Sequence, residues 1–204
     1  MENRKVALIS YAHDNTGKNR FYDMMNKLTI PDSIDIEVFF IECAGNAAAA
    51  FNQGMNAAKD IKIKIYLEDG VEILTPDLIA DALDYFDNNP NISMIGVTGT
   101  DQAHSDGVSY AGVHRINRLL LSDNRVLEDD NNGKYTPCLL DGGVYITNVD
   151  ISWRDDLFRS GYFLGASESI EYKRQGYAID ILKSKKDYIT LDECKSNTTL
   201  NILC

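Results

Sequence analysis

NAAAAFNQGMNAAKDIKIKIYLEDGVEIL, residues 46–74, is the stretch on which the fold turns. Ala47, Ala50, Phe51, Met55 and Ala58 recur near helical spacing, and Asn46 stands where its side-chain oxygen caps the first turn. A strand follows, in which Ile61, Ile63, Ile65 and Leu67 alternate with Lys62, Lys64 and Tyr66 before the run stops at Glu68, Asp69 and Gly70. Ligands of open α/β sheets bind beyond the carboxyl ends of strands, so two carboxylates at that point are candidates for a site. An Asp-Gly pair between apolar runs also makes an ordinary solvated turn, and on these residues alone that is the simpler reading.

Upstream, KVALIS (residues 5–10) runs apolar without alternation, as a strand buried on both faces does. Turn-formers at residues 13–17 come next, then Phe21, Met24, Met25 and Leu28 at helical spacing, ended by Pro31 and Asp32. IDIEVFFIE (residues 34–42) is rich in β-branched and aromatic residues and reads as a second strand. Strand, helix, strand, helix, strand is complete by Leu67, which predicts right-handed crossovers and a parallel sheet.

Downstream, Thr75-Pro76 offers a cap and a first-turn proline to a helix whose apolar face is Leu78, Ile79, Ala82, Leu83 and Phe86. ISMIGVTG (residues 92–99) is a further buried strand, so half the chain reads as a nucleotide-binding-like α/β unit. The second half is less regular. Residues 100–115, with two glycines and two histidines, suit a surface loop, and DDNNG (residues 129–133) suits a hairpin tip. DGGVYITN (residues 141–148) reads as a strand whose entrance two glycines keep open, and residues 167–175 as a short helix stopped by Gly176 before a last strand from Tyr177. The domain is placed at residues 1–182, with 183–204 as an exposed end or interface tail.

The 204 residues are 44% apolar and 25% charged, as in a soluble globular protein, and carry a net charge of −11. That charge repels phosphate backbones and anionic membranes, which disfavours nucleic acid as a partner. No stretch approaches the roughly 20 apolar residues of a membrane span. The first residues carry no signal-peptide pattern, so a cytoplasmic location is expected. Cys43, Cys138, Cys194 and Cys204 are scattered without metal spacing and read as free thiols. His13, His104 and His114 lack a carboxylate partner at motif spacing and stay outside the catalytic reading.

The order of elements resembles the glycosyltransferase A fold, and in particular the family 2-like glycosyltransferases. Three segments carry the likeness: NAAAAFNQGMNAAKDIKIKIYLEDGVEILTPDLI, NPNISMIGVTG and ISWRDDLFRSGYFLGASESIEYKRQGYAI, within residues 34–179. The first is similar to the surroundings of that family's metal motif, and the third to the stretch holding its catalytic acidic pair. The resemblance implies a Rossmann-like, mixed and mainly parallel sheet flanked by helices. It implies transfer of a sugar from a nucleotide-sugar donor, uridine diphosphate-linked by the family's habit, to a glycan or other hydroxyl acceptor. The leaving diphosphate's charge is then neutralised by a divalent cation, Mn or Mg, held by hard carboxylate oxygens.

By the same resemblance, Asp69 with help from Glu68 would hold the metal, and Asp69 would also face the donor. Ser10, Tyr11 and Glu42 would hold the nucleoside. Asp141, Gly142 and Gly143 would lie beside the donor sugar, and Glu168, with Glu171 as the alternative, would act as general base. Gly70 departs from the pattern, standing where a metal-coordinating Asp is expected, and the first acidic position of the late motif falls on Ala166 or Ser167. These departures motivate a second reading, a lapsed domain that binds a nucleotide, a glycan or a partner protein without turnover. A sugar-nucleotide-forming nucleotidyltransferase is disfavoured, because no Gly-rich basic loop follows the first strand.

Overall fold

The computed structural model describes residues 3–12, 14–42, 45–102, 114–127, 135–157, 163–182 and 188–191. Its centre is a sheet built on β1 (Arg4–Tyr11), β2 (Ile34–Ile41), β3 (Ile63–Leu67), β5 (Ile92–Thr100), β9 (Leu139–Thr147) and β10 (Ala178–Ile181), in the order β10-β5-β9-β3-β1-β2. β1 pairs in parallel with β2 and β3, and β10 with β5, while β9 runs antiparallel between β3 and β5. The mixed, mainly parallel sheet expected from the sequence is therefore present. β6 (Arg115–Ile116) adds to β5. A second, small sheet joins β4 (Val71–Ile73), β7 (Leu119–Leu121), β8 (Val126–Leu127) and β11 (Ile189–Leu191) in the order β4-β11-β7-β8.

Helices cover both faces. α1 (Asn15–Met25) and α3 (Leu78–Asn88) pack on one side with the small sheet, and α2 (Ala47–Ala57) and α4 (Leu164–Arg174) on the other. β1, β3 and β5 are consequently buried on both faces. Each fully buried large apolar side chain contributes about 1.5–3 kcal/mol. α2 lies so close to β1 that a Cβ on Gly54 would meet Ile9 Cγ2 at 2.3 Å. Trp153 is core, its ring 4.8 Å from Phe51 and 5.0 Å from Tyr66 between centroids.

The structure corrects several details of the sequence reading. Lys64 shares the burial of β3. It is 1% exposed, donates to the Ile61 carbonyl and pairs with Asp150 at 2.8 Å, a compensation from residues far along the chain. The turn-formers at residues 14–17 begin α1 instead of a loop, because Asp14 accepts from the Gly17 amide and caps it. α3 starts at Leu78, where the Leu78 amide donates to the Thr75 carbonyl and the Asp81 amide to the Asp77 carbonyl, with no side-chain cap hydrogen bond from Asp77. α4 starts three residues earlier than read, and Gly176, at φ +86°, ends it as expected. Within the stretch read as a tail, Tyr188 is buried and β11 is paired on both sides. The hairpin tip at residues 129–133, His13, His104 and the other cysteines than Cys138, which is a free thiol, lie outside the described residues. Among the described residues no helix is long and apolar enough to cross a membrane.

Candidate functional site

The carboxyl ends of β1 and β2 and the first turns of α1 and α2 enclose a cleft of about 510 Å³. That volume lies within the range of small-molecule sites. The sheet order explains the place, because β1 is followed toward β2 on one side and flanked by β3 on the other, which opens a crevice at its end. Tyr11 and Phe40 give the cleft aromatic walls, and Asp14, Asn15, Lys18, Glu42 and Asn46 give it polar groups. Asp14 and Asn46 also cap their helices, accepting from the amides of Gly17 and Ala49. Lys18 pairs with Glu42. Of the residues expected to hold a nucleoside, Tyr11 and Glu42 line this cleft. Ser10 is buried beside it and donates to the Leu67 carbonyl at 3.0 Å, tying β1 to β3 just before the acidic turn.

That turn follows from strand geometry. Successive side chains leave opposite faces of a strand, and the alternation of β3 carries on through Glu68 and Asp69. Asp69, 6% exposed, faces α1, where Arg20 reaches its Oδ1 at 3.1 Å and a Cβ on Gly17 would lie 2.7 Å away. Glu68, 2% exposed, faces the α4 side and accepts from the Tyr145 hydroxyl at 2.8 Å. Burial pushes its pKa up to about 7, the Tyr145 bond opposing and Asp141 adding to the rise. Its Oε2 has no hydrogen-bond partner among the described residues. Gly70 closes the turn at φ +92°, a conformation that disfavours any residue with a Cβ.

β9 brings Asp141, Gly142 and Gly143 to the same rim. Gly143 accepts from the Glu68 amide at 2.9 Å. Gly142 and Gly143 both have positive φ, at a break in the β5–β9 register. The pair does not hold an opening, as the sequence reading had it: Cβ atoms there would meet Thr98 Cγ2 and Val71 Cγ2, each at 2.6 Å. Asp141 is gripped by the Arg115 guanidinium through two bonds of 3.0 Å, and Arg115 also donates to Thr98. Arg115 is thus buried at the end of what reads as a surface loop, of which residues 103–113 lie outside the described residues.

Glu168 sits on the inner face of α4, 1% exposed. Burial, and secondarily the charge of Glu171, raise its pKa to about 8, and its Oε2 has no partner among the described residues. Burial pushes the Tyr66 and Tyr172 phenols upward, with the charge of Glu168 adding to the rise in both. Glu171 pairs instead with Arg154 and Arg174, each at 2.9 Å.

The structure therefore brings Tyr11, Glu42 and Asp69 to adjoining spaces, and Glu68 together with Gly143 and Asp141. It sends Glu68 and Asp69 to opposite faces and keeps Glu168 within the core. A metal shared by both turn carboxylates does not fit this arrangement, and among the described residues no group of three or more His, Cys, Asp or Glu is placed to hold an ion. Sequence reasoning missed Arg20, Arg115 and Tyr145. Arg20 left a trace, since Gly17, an unfavourable residue inside a helix, stands three positions before it on the same face.

The sequence model of a glycosyltransferase-like family matches residues 7–201. A search of curated proteins finds no match. Among solved structures, Staphylococcus aureus TarS 1–349 in complex with UDP aligns at TM-score 0.54 and 11% identity over 92% of this chain and 60% of that one. A second crystal structure of TarS 1–349 gives 0.55 and 10%, over 93% and 60%. The mannosyltransferase PcManGT from Pyrobaculum calidifontis, in complex with GDP-Man and Mn2+, aligns at 0.46 and 10%, over 92% and 59%. The chain thus spans about 60% of the length of the TarS structures, and the likeness to them establishes a shared glycosyltransferase A fold.

Proposed function

Because the chain belongs to the glycosyltransferase-like family, we propose that it moves a sugar from a nucleotide-sugar donor, uridine diphosphate-linked, to a hydroxyl of a glycan or small molecule. The observation that carries this reading is the cleft of about 510 Å³ at the ends of β1 and β2, with Asp69 in the crevice adjoining it. Phe40 offers a ring face to a base beside the end of β1 at Tyr11, and Glu42 offers an acceptor to ribose hydroxyls, as strand-end carboxylates do in related sheets. UDP bound to TarS, which has the same fold, supports the choice of nucleotide. Asp141, Gly142 and Gly143 shape the donor-sugar side.

In the reaction the acceptor oxygen bonds to the anomeric carbon while the bond from that carbon to the diphosphate breaks. The acceptor's proton goes to a base, for which Glu168 is the candidate, and the nucleoside diphosphate leaves. A carboxyl whose pKa lies at about 8 serves as a base once it has lost its proton. The residues present do not fit a metal site shared by Glu68 and Asp69, which face opposite sides of the turn.

A second reading, binding without turnover, is favoured by the burial of Glu168 and by the diversion of Glu68 to Tyr145. Titration with uridine diphosphate and a panel of its sugars, followed by timed assay of nucleotide release, separates the two. Binding with release that Glu168→Gln abolishes supports transfer. Binding with no release from any sugar supports the lapsed domain, and no binding of any nucleotide rejects both.

A further inference from the structure

We infer that Arg20 is the cation that receives the donor's diphosphate, and that Asp69 positions this guanidinium in place of gripping a divalent ion. The inference rests on the nucleotide-donor reading above and goes beyond it by naming a residue and a charge mechanism. Three observations carry it. The crevice between α1 and the acidic turn, lined by Ser10, Tyr11, Gly17, Arg20 and Asp69 among others, has a volume of only about 10 Å³. One water needs about 10–15 Å³ of such space, so neither a hydrated divalent ion nor a phosphate enters the crevice, and what reaches its mouth meets Arg20, 26% exposed, before Asp69, 6% exposed. The narrowness is built in, because the backbone of α1 approaches so closely at Gly17 that a Cβ there would sit 2.7 Å from Asp69 Oδ1 and 2.8 Å from Ala12 Cβ.

Second, the positive charge already at that carboxylate is Arg20, one turn along α1, at 3.1 Å and 26% exposed. A buried carboxylate fixes a guanidinium's direction, and a guanidinium keeps its charge and matches phosphate oxygens with paired N–H groups. Third, Tyr11 borders both the crevice and the large cleft, so the two adjoin at the end of β1. A nucleoside in the cleft extends its phosphates toward Arg20. Lys18, which lines the large cleft itself, is held across it by Glu42.

Calorimetric titration of the full chain with uridine and with uridine diphosphate, in EDTA and in 1 mM Mn2+, tests this. Expected are diphosphate binding in EDTA, tightened less than about threefold by Mn2+, and a loss of about 10- to 100-fold for the diphosphate in Arg20→Gln with uridine affinity unchanged. That range is what a hydrogen bond to a charged group carries. Arg20→Lys recovers part of the loss, since it restores charge without the fork, and Lys18→Gln does not reproduce the phosphate-specific loss. The inference is overturned if Mn2+ tightens the diphosphate tenfold or more and Asp69→Asn abolishes that gain, or if Arg20→Gln weakens uridine and the diphosphate equally. Should Arg20→Gln fail to fold, the comparison of Mn2+ with EDTA on the unaltered protein decides alone. If neither uridine nor its diphosphate binds, the donor reading itself fails and takes this inference with it, whereas binding that depends on Mn2+ removes the inference and leaves the donor reading standing.

Discussion

Replacing Glu168 with Gln keeps the side chain's size and removes its ability to ionise, which makes it a direct probe of the core carboxyl. Burial raises the Glu168 pKa from an ordinary 4.5 to about 8. The folded protein therefore holds a proton that the unfolded chain releases, and stability contributed below pH 4.5 is lost progressively as the pH rises through about 8. Each pH unit inside that window costs about 1.4 kcal/mol. Between pH 5 and pH 8 the unaltered protein should lose about 3 kcal/mol relative to Glu168→Gln. The burial of a Gln amide adds a constant to every point and leaves the slope untouched, while Glu68, common to both proteins, cancels. Urea denaturation at pH 5, 6, 7 and 8 measures it. With a slope of about 2 kcal/mol/M for a domain of this size, the gap between midpoints should widen by about 1.5 M. A gap that stays constant across the series would show that Glu168 ionises as an exposed carboxylate does, and the argument from its burial would be wrong.

If Glu168 is the base of sugar transfer, kcat/KM should climb about tenfold per pH unit up to about pH 8 and level off above it, because only the ionised carboxyl accepts the proton; a plateau already reached by pH 6 refutes that role. Glu42→Gln removes the acceptor offered to ribose and should weaken uridine binding by about tenfold in calorimetry, with the melting temperature little changed because the Lys18 pair is exposed. Arg115→Met leaves Asp141 partly buried without its fork and should cost about 3–5 kcal/mol in urea unfolding, whereas a loss below 1 kcal/mol would mean that water replaces the guanidinium. Gly70→Asp, which restores the acidic residue expected at that position, forces a Cβ into a left-handed turn; it should cost about 1–2 kcal/mol and confer no Mn2+ binding by calorimetry.

What the sequence makes legible here is what local pattern controls. Residues 92–100 form an unbroken buried strand because their apolar run needs no partner of particular identity, and α2 forms because its cap and its Ala, Phe and Met face lie within one segment. Asn46 caps α2 as expected, and Gly176 ends α4. Tyr11, Glu42 and Asp69 reach the ends of β1, β2 and β3 for the same reason, since a parallel sheet gathers strand ends wherever they fall in the chain. Lys64 stays buried within the run of residues 61–67 because Asp150, contributed from beyond β9, pairs with it inside the protein. Nothing near Lys64 announces such a partner.

The acidic turn shows where pattern could have been pressed further. Adjacent residues of an extended chain cannot both face one ligand, so Glu68 and Asp69 were bound to diverge once β3 was accepted as a strand running into them. What alternation could not supply is the identity of the groups that meet each one. Tyr145 arrives from β9, 77 positions away, and Arg20 from α1, 49 positions before. These two partners give the carboxylates opposite chemistry. Glu68 is pushed toward its protonated form by burial, against the pull of the Tyr145 hydroxyl, whereas Asp69 lies against the Arg20 guanidinium at 3.1 Å. A turn that reads as one acidic motif is thus two separate sites, and the charge balance of the crevice is set by the arginine that the helix carries to it.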